Sequence, residues 1–82
     1  FFVRTPEDFL DFLAARTLTA NQIEFVNTLI DHLTEKGQVE PRLLYESPFT
    51  DFDPMGVAGL FSAPDAAEVI SILDEVRART AA

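Results

Sequence analysis

The sequence contains no cysteine and no tryptophan, and only six of its 82 residues are basic. Without cysteine, the chain has no disulfide bonds, no thiol chemistry and no cysteine-ligated zinc, which fits a cytoplasmic location. No apolar run approaches the ~18 residues of a membrane-spanning helix, so we expect no membrane partner. The chain begins with Phe1 and Phe2 instead of Met, which indicates a fragment of a longer polypeptide.

The charge balance argues against direct binding of nucleic acid. Fourteen acidic residues face six basic ones, which gives a net charge of -8. Proteins bind nucleic acids largely through Lys and Arg side chains that neutralise phosphates. The six basic residues are scattered here, and the closest approach to a cluster is Arg77 with Arg79. We therefore expect no direct DNA binding from this chain.

Apolar residues, in contrast, are plentiful enough to build a core. The chain is 48% hydrophobic and contains eight phenylalanines, a composition typical of a folded protein and not of a disordered one. A length of 82 residues suits one small domain of modest stability. The sequence therefore predicts a single domain over residues 1–82.

The segment from Thr19 to Gly37 gives the strongest helix signal. Thr19 and Gln22 have the spacing of a capping box, and Gly37 supplies the residue type that often ends a helix in the left-handed conformation. We therefore predict a helix from Thr19 to about Lys36. Its apolar side chains form a wide arc, which indicates packing against more than one neighbour; they are Ile23, Phe25, Val26, Leu29, Ile30 and Leu33.

Two further long helices are predicted, one near each end of the chain. Thr5 and Pro6 form a favourable helix start, and the first helix should end near Arg16. Ser62 is predicted to cap the last helix, with Asp65 three residues later. The apolar face of that last helix consists of Ala66, Val69, Ile70, Ile72, Leu73 and Val76.

Between the second and last helices the chain is rich in proline. Residues 38–64 contain four of the five prolines, which excludes one long helix and predicts short turns or single-turn helices that begin at Glu40, Ser47 and Asp53. The apolar side chains of this segment are expected to be buried; they are Leu43, Leu44, Tyr45, Phe49, Phe52, Met55, Leu60 and Phe61. Since strand signals are weak, the predicted fold is all-α, with three main helices and a proline-rich segment packed on them.

Several runs of residues resemble one known protein family. The sequence is similar to the C-terminal region of type I restriction enzyme R subunits at residues 18–27 (LTANQIEFVN), 32–37 (HLTEKG), 44–51 (LYESPFTD), 59–61 (GLF) and 72–76 (ILDEV). The run at 44–51 is the most specific, because it is long and chemically mixed. The resemblance covers residues 18–77.

The resemblance implies a parent subunit that uses ATP and magnesium to translocate and then cleave DNA. Its partners in that family are methylation and specificity subunits. The 82 residues contain no phosphate-binding loop and no recognisable nuclease motif, so we expect no catalytic, cofactor-binding or metal-binding residue in this chain. The predicted function is a non-catalytic assembly domain that contacts those subunits, or other R-subunit domains, through Tyr45, Glu46 and Asp51.

Two groups of polar residues were weighed as catalytic or metal sites. His32 is the only histidine and lies near a predicted helix C-terminus, where a structural role is favoured over general base chemistry. Glu46, Asp51 and Asp53 could form a small hydrolase site or bind a metal. They provide few of the regularly spaced oxygen ligands that calcium loops need, and capping or solvation explains them more simply.

The aromatic residues of the proline-rich segment suggest a different kind of site. Tyr45, Phe49, Phe52 and Phe61 could stack bases, but such platforms normally combine aromatic with basic residues, whereas the neighbours here are mainly acidic. We expect most of them to pin the segment onto the helices, with Phe49 as a core anchor. A DNA mimic, whose acidic surface occupies a DNA-binding channel, and a stand-alone adaptor remain as alternative functions.

Overall fold

The computed structural model describes residues 2–80, except for the side chain of Thr80. Five helices occur in this part of the chain: α1 (Pro6–Ala14), α2 (Ala20–Lys36), α3 (Pro41–Tyr45), α4 (Pro54–Phe61) and α5 (Ala66–Thr80). No strand occurs in the described residues, so the predicted all-α class is confirmed. Phe1, Ala81 and Ala82, which the predicted domain and the predicted fragment start include, lie outside these residues.

The starts of α1 and α2 follow directly from their capping residues. The Thr5 side chain accepts a hydrogen bond from the backbone N–H of Asp8, and Pro6 occupies the first turn of α1. Thr19 and Gln22 form both hydrogen bonds of the predicted capping box, and Gly37 ends α2 with a φ of 70°. These local predictions are confirmed.

The last helix begins later than predicted. Ser62 does not cap α5; it ends α4, where its backbone N–H and its hydroxyl both donate to the carbonyl of Ala58. Pro64 disfavours a helical conformation in the residue before it. The carbonyl of Asp65 instead accepts the first-turn hydrogen bonds from Glu68 and Val69, so α5 starts at Ala66.

The proline-rich segment also differs in detail from its prediction. A short helix does begin after Glu40, and Asp53 does cap a helix at its start, through a hydrogen bond to the N–H of Met55. That helix, α4, has eight residues and is therefore longer than the single turn expected. At Ser47 the chain makes a turn without a helix, in which the Ser47 hydroxyl accepts from the N–H of Phe49.

The core lies where α5 packs between α1 and α2, and α3 and α4 close its remaining side. The long helices bury the middle of the faces predicted for them: Val26, Leu29 and Leu33 in α2, and Val69, Leu73 and Val76 in α5. A hydrogen bond of 2.8 Å from Arg77 to Asn27 also joins α5 to α2. No helix among the described residues is long and apolar enough to cross a membrane.

The capping box of α2 gives a direct test of this fold. Replacing Thr19 with Ala removes the side-chain acceptor for the N–H of Gln22 and should lower the free energy of unfolding by about 1 kcal/mol. Thr17→Ala is a matched control, because Thr17 is exposed and lies between α1 and α2. Urea denaturation of both variants measures the difference, and equal stabilities would contradict the assigned helix start.

Candidate docking surface

Most aromatic side chains of the proline-rich segment belong to the core. Phe49 is 4% exposed, and its ring makes edge contacts with those of Phe12, Phe25 and Phe52 at centroid distances of 6.2, 5.9 and 5.9 Å. Phe61 is 2% exposed and meets the ring of another buried phenylalanine, Phe9, edge to face. The predicted role of Phe49 as a core anchor is confirmed. The ring cluster fixes the segment against both α1 and α2.

Two large apolar residues of the segment remain on the surface, contrary to their predicted burial. Tyr45 and Met55 are each 66% exposed, because the last turn of α3 and the first turn of α4 direct them away from the core. The Tyr45 hydroxyl donates a hydrogen bond to the Met55 sulfur at 3.2 Å. A side-chain pair therefore spans the space between α3 and α4 at the protein surface.

This pair borders a shallow groove between the two short helices. The groove has a volume of about 240 Å³ and is lined by Pro41, Leu44, Tyr45, Pro54, Met55 and Ala58. Leu44 is buried, whereas Ala58 is partly buried and small. The lining is almost entirely apolar, and it presents no histidine, carboxylate or nucleophile to a ligand.

The three predicted contact residues do not share one environment. Tyr45 and Glu46 are consecutive at the end of α3, and Glu46 makes a 3.9 Å ion pair with Arg42. Asp51 instead forms an ion pair with Arg16, which also lies over the ring of Phe12. Asp51 therefore helps to attach the turn to α1, while Tyr45 and Glu46 lie beside the groove.

The remaining polar candidates have structural environments. His32 is partly buried on α2, and its Nδ1 atom has no hydrogen-bond partner. Asp53 caps α4. Among residues 2–80, no group of three or more His, Asp or Glu side chains is arranged to hold a metal ion. The structure thus does not bring Glu46, Asp51 and Asp53 together into a common metal site.

Met55, Pro41 and Pro54 were not identified from sequence as possible contact residues. One signal was present for Met55: in a helix that begins at Pro54, the buried Val57, Leu60 and Phe61 fall on one side and Met55 on the other. That reading requires the length of α4 to be known.

The family comparison adds the decisive observation. The family model described as "EcoEI R protein C-terminal" matches residues 6–77. The chain belongs to this family. The predicted resemblance to the C-terminal domain of type I restriction enzyme R subunits is thereby confirmed, and it starts at residue 6 and not at residue 18. No curated protein and no solved structure matches the chain significantly.

The EcoEI R-type family identifies the parent as a restriction deoxyribonuclease subunit, whereas the charges of this domain predict weak DNA binding. Five of the six basic side chains already make ion pairs within the described chain: Arg16, Lys36, Arg42, Arg77 and Arg79. At about 0.15 M salt, where surface charges are screened within roughly 8 Å, we expect no sub-micromolar binding to duplex DNA. Fluorescence anisotropy with a labelled duplex measures this, and tighter binding would contradict the charge argument.

Proposed function

We propose that this chain is a non-catalytic docking domain that attaches the R subunit to the methylation and specificity subunits of a type I restriction complex. Contact with other domains of the R subunit is the variant of the same role. The observation that carries the proposal is the exposed Tyr45–Met55 pair over an apolar groove, within the segment whose sequence most resembles the family. Exposed apolar surface of this kind is characteristic of protein contact sites.

Tyr45, Glu46 and Asp51 are the proposed partner-contacting residues, with different contributions. Tyr45 offers a large amphipathic ring, a side chain that often dominates interface energies. Glu46 places a carboxylate beside it, and the side chain of that residue is 65% exposed. Asp51 is 56% exposed, so it can meet a partner while it keeps its contact with Arg16.

The proposed role also assigns the chemistry of the complex to other parts of it. In this proposal, ATP and magnesium act in motor and nuclease domains outside the 82 residues, in the cytoplasm. We expect the folded chain alone to show neither ATP hydrolysis nor magnesium-dependent DNA cleavage. Either activity, if it were lost on mutation within this chain, would overturn the non-catalytic assignment.

A competition experiment tests the docking role. The chain, once shown to be helical by circular dichroism, is added to purified methylation–specificity complex together with the intact R subunit, with and without DNA. We expect the chain to displace the R subunit as its concentration rises. A folded chain that neither binds the complex nor competes, and that also fails to bind an R subunit from which this domain has been removed, would contradict the proposal.

A DNA mimic is the second candidate, and one surface favours it. The outer side of α2 exposes Glu24, Asp31 and Glu35, none of which makes an ion pair with the basic residues named above. Binding through such a face would rest on charge and should weaken steeply as salt rises. Binding through the Tyr45–Met55 groove would retain an apolar contribution that salt does not screen.

A further inference from the structure

The groove between α3 and α4 is smaller than a typical ligand site. Its volume of about 240 Å³ lies below the roughly 300–1,000 Å³ usual for pockets that bind cofactors and other small molecules. Its apolar lining also lacks the few convergent polar groups that orient such ligands. The dimensions and lining instead suit an apolar side chain that projects from another polypeptide.

The walls of the groove are held in place before any partner arrives. Pro41 and Pro54 begin α3 and α4, and the carboxylate of Asp53 accepts from the N–H of Met55 at 3.1 Å. The buried Leu44 fixes α3 from below. A preformed site of this kind loses less conformational freedom on binding than a flexible one. Met55 adds an adaptable thioether at the edge, which tolerates small differences in the inserted side chain.

The rim of the groove is acidic at three separate points. Glu40 directly precedes Pro41, Glu46 directly follows Tyr45, and Asp53 directly precedes Pro54. Each acidic residue therefore adjoins a residue that lines the groove. The closest basic side chain in sequence is Arg42, which is 77% exposed and turned toward Glu46.

The ion pairs on this rim leave its carboxylates open to exchange. Lys36 and Glu40 are 3.7 Å apart, Arg42 and Glu46 are 3.9 Å apart, and all four side chains are at least half exposed. Exposed pairs at such distances contribute little to stability. A partner's Lys or Arg can take the place of either cation at small cost, and it would add a contact that the free domain lacks.

From the apolar groove and its acidic rim, we infer that this site binds a basic polypeptide segment with one apolar side chain as its anchor. The anchor inserts between Tyr45 and Met55, and flanking Lys or Arg residues meet Glu40, Glu46 and Asp53. The inference rests on the proposed docking function and specifies the chemistry of the partner. The opposite charges would also speed the first encounter between the two proteins.

Binding measurements on the intact R subunit and the methylation–specificity complex test the site. Tyr45→Ala should weaken assembly by about tenfold or more, as expected for a central aromatic anchor, while Tyr45→Phe should stay within about threefold because it keeps the ring. Glu46→Lys should weaken assembly by about fivefold, and more strongly at low salt than at high salt. Glu35→Lys makes the same charge change on the exposed side of α2 and should have an effect of less than about twofold.

A photo-crosslinker identifies the chemistry of the occupant. The R subunit is prepared with p-benzoylphenylalanine in place of Tyr45, assembled into the complex and irradiated, and the linked peptide is identified by mass spectrometry. We expect a basic segment, whether it comes from a methylation subunit, a specificity subunit or another R domain. A crosslink to an acidic segment or to DNA, or no crosslink in the assembled complex, would overturn the inference.

The two proposals fail in distinguishable ways. If an R subunit without this domain assembles normally, the docking function is wrong. If assembly needs the domain but Tyr45→Ala, folded by circular dichroism, assembles with wild-type affinity, the docking function stands and the groove is the wrong site. Equal losses for Glu46→Lys and Glu35→Lys would also overturn the groove, because they would indicate a response to net charge alone.

Discussion

Replacing Phe49 with Ala should destabilise the domain by about 3–5 kcal/mol, the usual cost of removing a large aromatic side chain from a core. Small domains have total stabilities of about 5–15 kcal/mol and often lie near the lower value, so this loss brings the chain close to unfolding. The ring contacts three other phenylalanine rings that come from α1, α2 and the turn before α4. Its loss therefore loosens three parts of the structure together.

Phe2→Ala provides the matched control for this experiment. The substitution is the same, but Phe2 is 67% exposed, and surface changes usually alter stability by less than about 0.5 kcal/mol. Urea denaturation followed by circular dichroism measures both variants. If Phe49→Ala were as stable as Phe2→Ala, the assigned core position of Phe49 would be wrong.

Replacing Gly56 with Ala should have the second largest effect, a loss of about 1–3 kcal/mol, which is the range for overpacking a filled interior. Gly56 lies in α4, and a Cβ atom added there would overlap the backbone carbonyl oxygen of Val3. Val3 is fully buried. The overlap is between backbone positions, so no change of side-chain rotamer relieves it, and the first residues of the chain must move away from α4.

Gly59→Ala in the same helix should have the opposite sign. A Cβ at Gly59 meets no atom within 4 Å, so the substitution gains helix propensity, worth about 0.8–1 kcal/mol for Gly to Ala in a helix interior. Thermal melts of the two variants should therefore move in opposite directions. A common direction would show that helix propensity decides both cases, and that the close contact between α4 and Val3 is absent.

The parts of the fold that follow from local chemistry were predicted correctly from sequence. Thr5 with Pro6, and Thr19 with Gln22, satisfy helix N–H groups within a few residues of themselves, so no distant contact is needed to decide them. Ser62 had an equally good local signal and was assigned wrongly. Two helices compete for that residue, and the continuing hydrogen bonds of α4 to the Ala58 carbonyl decided the outcome.

The candidate docking surface could be predicted only in part. Tyr45 and Glu46 were identified from the specific run at residues 44–51, and the structure places both beside the groove. Met55 was expected to be buried, because its exposure depends on the length and orientation of α4. The ion pair between Arg16 and Asp51 joins residues 35 positions apart, and no spacing rule reveals such a contact.

The central claim, that this domain attaches the R subunit to the methylation–specificity complex, is tested most directly by one comparison of dissociation constants. The complex is titrated with the intact R subunit and with an R subunit that lacks the family-matched residues 6–77, at the same salt concentration. Loss of a hot-spot interface costs several kcal/mol in total, and each 1.4 kcal/mol is about tenfold in affinity. The account predicts at least a hundredfold weaker binding, by roughly twice that step, without the domain. Equal dissociation constants would contradict it.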